Sequence, residues 1–211
     1  MSLLHRRALV LGAAGLAAAC TEARHAETAQ TPTPAEMAGP FSPVDTNVER
    51  DVDLTRLAGR TERATGQIIQ VRGRVIDARG APIENARLEL WQANAAGRYA
   101  HPEDPATAAL DPNFQGYAIL QTGADGAFSF TTVKPGAYNS PVGMRTPHLH
   151  WKVAAGAREL TTQMYFPGEA QNQTDSLMRA MGDPARSLIA ESAPASEQGA
   201  LGFAWTLVLP A

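Results

Sequence analysis

Apolar and polar positions alternate in short blocks along the carboxy-terminal two thirds of the chain. Ile68–Asp77 is one such block. Ala86–Gln92 sets Leu88 and Leu90 against Arg87, Glu89 and Trp91. Gly116–Thr122 and Ala127–Thr132 flank Ala124-Asp125-Gly126, with Phe128 and Phe130 on one side. His148–Val153, Leu160–Phe166 and Phe203–Leu209 complete about seven blocks. A period of two is the signature of a half-buried strand, and Gly/Pro-rich joints such as Ala78-Arg79-Gly80-Ala81-Pro82 read as turns. The pattern predicts an all-β fold, an antiparallel β-sandwich with long loops. One short helix is expected near Asp175–Met181, with Thr174 or Asp175 as its cap.

The first 66 residues break the pattern. Residues 1–19 hold His5-Arg6-Arg7 and then an apolar run from Ala8 to Ala19. That run is too short to span a bilayer and has the form of a secretory signal, of the twin-arginine kind. Cys20, the chain's single cysteine, follows Leu16-Ala17-Ala18-Ala19 and resembles a lipobox cysteine. A lipidated Cys20 would attach the chain to a membrane; the bland alternative is a cleaved signal with an incidental cysteine. Either reading exports the chain, to the periplasm or as an anchored lipoprotein. Residues 20–40, rich in Ala, Thr, Glu and Pro, read as a flexible tether. Residues 41–66 read as an arm on the domain, with a helical turn near Leu54–Leu57, and 67–211 as the sandwich itself.

Composition narrows the partners. A net charge of −3 over 211 residues, with no basic block, speaks against nucleic acid. The 18 glycines and 15 prolines suit a turn-rich β domain rather than a helical bundle. Between Trp91 and Gly116 lies a long loop carrying Asn94, Tyr99, His101, Asp104, Asp111 and Asn113, and loops of that length inside compact domains are usually functional.

The chemistry gathers at Arg145-Thr146-Pro147-His148-Leu149-His150-Trp151. On a strand, His148 and His150 face one side and Leu149 and Trp151 the other. Two converging imidazoles suit Zn, Cu, Fe or Ni. No carboxylate is near in sequence, but Tyr138 follows the turn Lys134-Pro135-Gly136-Ala137 and Tyr99 follows Gly97-Arg98. A bound cation can strip the phenolic proton. Two phenolates with two imidazoles favour Fe(III) over Zn(II) or Fe(II). Taken singly, these residues have plainer readings: surface or core histidines, and packed aromatics with a bonded hydroxyl. His101 and Tyr117 read as structural, and Trp91, Phe128 and Phe130 as core.

Six segments in order resemble the intradiol ring-cleavage dioxygenase family, nearest the iron-bearing (beta) subunit of its two-subunit members. They are Gly73–Asp77, Leu90–Tyr99, Leu110–Gly116, Val133–Tyr138, Arg145–His150 and Thr162–Phe166. The resemblance spans roughly Asp53 to Leu209. It implies Tyr99, Tyr138, His148 and His150 as ligands of a mononuclear non-haem Fe(III). It implies a catechol-type substrate cleaved with O2 to a muconate-type diacid, with Tyr138 displaced by the substrate. It places Arg145 beside the ring and Gln163 near the metal, with Tyr165 as its neighbour. The stretch Asn139–Met144 is shorter than in the iron-bearing subunits. Catechol, protocatechuate, hydroxyquinol and larger phenolics all stay open as the ring. So does self-association as a homo-oligomer, or the need for a sister subunit. The rival from another class is a non-catalytic exported sandwich module that binds a metal or an aromatic ligand. A zinc hydrolase built on the two histidines would lack an obvious third ligand and general base.

Overall fold

The computed structural model describes residues 29–210. The expected signal segment and Cys20 lie outside the described residues. Ten strands form two four-stranded sheets and a ribbon. Strands β1 (Ile68–Asp77), β4 (Ala127–Val133), β9 (Glu191–Ala193) and β10 (Leu201–Leu209) make the first sheet, in the order β4-β1-β10-β9. Strands β2 (Arg87–Trp91), β3 (Tyr117–Gln121), β7 (His148–Ala155) and β8 (Arg158–Tyr165) make the second, in the order β3-β2-β7-β8. Strands β5 (Tyr138–Ser140) and β6 (Gly143–Arg145) form a hairpin ribbon.

The sheets bury their facing sides against each other. Leu88 and Leu90 on β2, Leu149, Trp151 and Val153 on β7, and Met164 on β8 meet Ile69, Val71 and Val75 on β1, with Phe128, Phe130, Trp205 and Leu207. A slip of one residue would turn each apolar set outward, so the alternation fixes register. Leu90 sits opposite Trp151, and Leu149 opposite Met164. The same register places Trp91 beside His150, His150 beside Gln163, and His148 beside Tyr165 on the other face. That second face is also buried along the first half of β7.

Three expectations change. Every named pairing is antiparallel except β1 with β10, which run parallel. A parallel neighbour needs a long crossover; here all the strands from β2 to β9 intervene, and periodicity carries no direction. The helical turn near Leu54–Leu57 is a pair of reverse turns, closed by Arg56 N to Asp53 O and Arg60 N to Leu57 O. Leu54 itself is buried and bonded to Thr131 of β4. The described end of the stretch read as a flexible tether, from Gln30 onward, is docked. Gln30 N donates to Ala78 O, Thr33 N to Val208 O and Glu36 N to Thr161 O. Thr162 Oγ1 donates to Pro34 O at 2.7 Å. Strand β8 is a sheet edge, and this segment crosses it and occupies part of its exposed bonding groups.

The expected helix is present as Ser176–Met181 (α1), capped by Asp175, whose Oδ1 accepts from Leu177 N and Met178 N. Two short 3-10 turns, Ala170–Gln173 and Asp183–Leu188, flank it.

Candidate metal centre

Four side chains from three places meet on the outer face of the second sheet. His148 and His150 come from β7, two residues apart on one side. Tyr138 comes from the first residue of the β5–β6 ribbon, and Tyr99 from the long loop after β2. Tyr99 is held there by its backbone N–H on Asp104 Oδ2 at 2.6 Å. Asn94 tightens the same loop, its Oδ1 accepting from Ala96 N and Arg98 N.

The four donor atoms close into a ring. Tyr99 Oη lies 3.1 Å from His150 Nε2, which lies 3.1 Å from His148 Nε2. His148 Nε2 lies 3.4 Å from Tyr138 Oη, and the two phenolic oxygens are 3.5 Å apart. Donors bound at ~2.0–2.1 Å to one ion, at right angles to 120°, sit ~2.9–3.6 Å from each other. The donor set therefore fits a single first-row metal ion. Among the described residues no three His, Cys, Asp or Glu side chains are grouped so that they could hold a metal ion. The donors that join the two imidazoles are phenols.

Protonation agrees with this fit. His148 Nδ1 lies 2.6 Å from Thr146 O, and a carbonyl only accepts. Nδ1 must then carry the hydrogen, leaving the Nε2 lone pair aimed at the cluster, as in metal-bound histidines. His150 Nδ1 is buried without a partner. If His150 carries its proton on Nδ1, two bare Nε2 lone pairs oppose each other across 3.1 Å, and a cation between them resolves the conflict. Burial, with help from the Arg145 charge, lowers the His148 pKa to about 3, and burial drives His150 well below its ordinary value. Burial raises both Tyr99 and Tyr138. A cation reverses the phenol shifts by stabilising the phenolates.

The surroundings hold this ring in place. Trp91 stacks on His150 with centroids 5.0 Å apart and planes 4° from parallel. Phe41, from the amino-terminal arm, lies 5.1 Å from Tyr99, 5.7 Å from His101 and 6.2 Å from Tyr138, centroid to centroid. Gly39 reaches so close that a Cβ there would sit 3.1 Å from His150 Cε1. His101 thus serves as packing, and Tyr117 donates to Glu89 Oε2 at 2.7 Å outside the ring.

Beside the donors lies a second cluster. Arg145 is buried, and its Nε donates to Asp175 Oδ2 at 2.8 Å. Its Nη2 donates to Gln163 Oε1 at 2.6 Å and to Tyr165 Oη at 3.1 Å. Tyr165 Oη is also 2.7 Å from Glu36 Oε2 and 3.0 Å from Gln163 Oε1. One hydroxyl hydrogen cannot serve both. Burial raises the Glu36 pKa, while the Tyr165 hydrogen bond and the Arg145 charge lower it, and Gln163 Oε1 already accepts from Arg145 Nη2. Gln163 Nε2 donates to Met37 O at 3.0 Å. All six predicted site residues therefore come together. Sequence reasoning missed Glu36, Gly39 and Phe41, and saw Asp175 only as a cap. Asp175 does both jobs, one carboxylate oxygen on the helix and the other on Arg145 and Thr146 N.

The β-sandwich thus bears a buried cluster of two phenols and two imidazoles on one outer sheet face. The family model for Dioxygenase matches residues 39–211. The protocatechuate 3,4-dioxygenase beta chain of Burkholderia cepacia is 42% identical over 168 residues, covering 75% of this chain and 71% of the relative. Hydroxyquinol 1,2-dioxygenase of a Rhizobium strain is 32% identical over 127 residues, covering 53% and 42%. The dioxygenase domain of a dioxygenase and carbohydrate-binding fusion from Streptomyces sp. SirexAA-E matches in structure with a TM-score of 0.64 at 32% identity, covering 85% of this chain and 99% of that one. The chain belongs to the intradiol ring-cleavage dioxygenases, oxidoreductases whose members work on catechols.

Proposed function

We propose that this chain cleaves a catechol-type ring between its two hydroxylated carbons, using one Fe(III) held by Tyr99, Tyr138, His148 and His150. The family works with non-haem iron, and the donor set here suits the ferric state. The observation that carries the reading is the closed ring of two phenolic oxygens and two imidazole nitrogens at 3.1–3.5 Å spacing. The bound ion would supply Lewis acidity and a template for the diol.

The chain's own residues do the rest. Tyr138 is the more exposed phenol, at 8% against 3% for Tyr99, and as a phenolate it would accept a proton from the incoming diol. Tyr99 and His150 sit deeper, under Phe41, Trp91 and Gly39, and anchor the site. Arg145 is a fixed cation that stabilises negative charge developing on the ring. Its neighbours Asp175, Gln163 and Tyr165 lock its orientation in advance. Both atoms of O2 end in the muconate-type diacid, so diol plus O2 balances without a further reductant.

Purified protein reconstituted with ferric iron should be red-brown from phenolate-to-iron charge transfer, and a catechol should shift that band. Oxygen uptake across a small catechol panel then measures turnover. A colourless protein that stays inert after ferric reconstitution would sink the proposal. A Tyr138→Phe variant with an unaltered visible spectrum would remove Tyr138 from the ligand set. We also propose that the chain is exported, with Cys20 lipidated. Cys20→Ser should release it from the membrane fraction, and unchanged fractionation refutes the lipid anchor.

A further inference from the structure

Tyr165 Oη stands where three groups meet, and the direction of its one hydrogen decides how Arg145 is held. Arg145 Nη2 donates to it at 3.1 Å and to Gln163 Oε1 at 2.6 Å. Two acceptors lie within reach of the hydroxyl, Glu36 Oε2 at 2.7 Å and Gln163 Oε1 at 3.0 Å. Glu36 Oε2 is the nearer, and Gln163 Oε1 is already in use. The hydrogen therefore points to Glu36, which turns the lone pairs of the oxygen toward the guanidinium. A hydroxyl that donates to a carboxyl oxygen also accepts more strongly, because linked hydrogen bonds polarise one another.

The backbone fixes Glu36 for this task. Glu36 N donates to Thr161 O at 2.9 Å. On either side of it, Pro34 O accepts from Thr162 Oγ1 at 2.7 Å and Met37 O from Gln163 Nε2 at 3.0 Å. Thr161, Gln163 and Tyr165 alternate onto one face of β8, and the segment that covers the strand edge carries the carboxyl to the end of that row. Asp175 holds Arg145 at Nε, at 2.8 Å, and Glu36 holds it at Nη2 through Tyr165. Resting on the proposed function, we infer that Glu36 is a positioning residue for the ring cleavage, aiming the Arg145 guanidinium through the Tyr165 hydroxyl. The amino-terminal segment thereby supplies part of the alignment of the reaction. The role needs an acceptor at position 36, not a charge. Without one, the Tyr165 hydrogen turns onto Gln163 Oε1, the oxygen that Nη2 uses, and the hold on the guanidinium loosens.

The test compares Glu36→Met, which keeps the length without the carboxyl, with Glu36→Gln, which keeps an acceptor. Both are made in the full chain loaded with ferric iron, and oxygen uptake with the fastest substrate of the catechol panel gives kcat and KM. Arg145 acts on charge that develops during the reaction, so its misalignment appears in kcat. Glu36→Met should lower kcat about tenfold, roughly the worth of one hydrogen bond, with KM within about twofold of native. Its visible band before substrate is added should be native. Glu36→Gln, the conservative change, should recover most of the loss. A loss under about threefold in Glu36→Met, a loss carried by KM, or an equal loss in Glu36→Gln overturns the inference and leaves the proposed function standing. So does a shifted resting band in Glu36→Met, which would show the segment acting by packing on the donor ring near Gly39. Tyr165→Phe keeps the ring that packs 5.8 Å from His148, centroid to centroid, and removes only the hydroxyl. It should show the same loss in kcat, and adding Glu36→Met to it should cost nothing further; a further loss overturns the inference. If Glu36→Met does not fold, Tyr165→Phe decides alone, and a native kcat there overturns the inference. No turnover of any catechol by the native chain sinks the proposed function, and the inference falls with it.

Discussion

Gly39→Ala probes whether the amino-terminal segment is part of the candidate metal centre or merely lies near it. Gly39 has φ +75°, in the left-handed region. Any side chain there costs about 1–2 kcal/mol in backbone strain. The added Cβ would also stand 3.1 Å from His150 Cε1 and 3.7 Å from Nε2. Comfortable carbon contacts are ~3.5–4.0 Å, so several tenths of an ångström must be found. The segment resists, because Thr33, Glu36 and Met37 are bonded to Val208, Thr161 and Gln163. The imidazole resists through its stack on Trp91. Overpacking of this kind adds roughly 1 kcal/mol. Gly59 provides the control, with φ +76° and no atom within 4 Å of where its Cβ would stand. In urea denaturation both alanine variants should lose about 1 kcal/mol from strain, and Gly39→Ala roughly 1 kcal/mol more from the contact. In the ferric protein only Gly39→Ala should shift the charge-transfer band or weaken iron binding. If the two variants are indistinguishable in both assays, the close approach to His150 has no consequence and the segment is not part of the centre.

Arg145→Met should cost about 3–5 kcal/mol in urea denaturation, because it strands the Asp175 carboxylate without its buried partner; a loss under about 1 kcal/mol would refute that reading. Trp91→Leu should cost about 2 kcal/mol and broaden the ferric band, since stacking orients an imidazole whose Nδ1 has no hydrogen bond; a band of native width would show that stacking does not set the ring. Acid should destabilise the iron-free protein before its carboxylates titrate. The folded His148 and His150 pKa values lie below the unfolded 6.5, His148 at about 3, so their contribution is full above 6.5 and lost as pH falls toward 3. Each neutral imidazole adds a slope of about 1.4 kcal/mol per pH unit in that window. A urea midpoint that stays flat from about pH 7 to pH 4 would contradict the neutral, buried assignment. Removing iron from the loaded protein by chelation should lower its melting temperature, and an unchanged melting temperature would show that the metal is not bound by the folded cluster.

The candidate site residues were legible for a physical reason. Few side chains can bind a metal, and β7 had to alternate, so His148 and His150 declared a shared face while Leu149 and Trp151 declared the core. Arg145 and Gln163 followed from family resemblance, and β-sheet register then placed Gln163 opposite His150. Strand direction was not legible, because β10 is as apolar beside a parallel neighbour as beside an antiparallel one. The three-residue strands β5, β6 and β9 are shorter than any period can reveal.

The amino-terminal segment is the instructive miss. It attaches through backbone groups at Thr33, Pro34, Glu36 and Met37, through the Thr33 hydroxyl, through one carboxyl, and through a glycine with no side chain at all. None of these leaves a hydrophobic period, so its composition reads as a tether. A sheet edge accepts such a segment without asking for apolar side chains, since the exposed strand supplies the bonding groups. A chain can therefore bring groups to a candidate metal site from a stretch that looks solvated. In this protein the groups chosen by chemistry and those chosen by coverage follow different rules, and only the first write themselves into the pattern of residues.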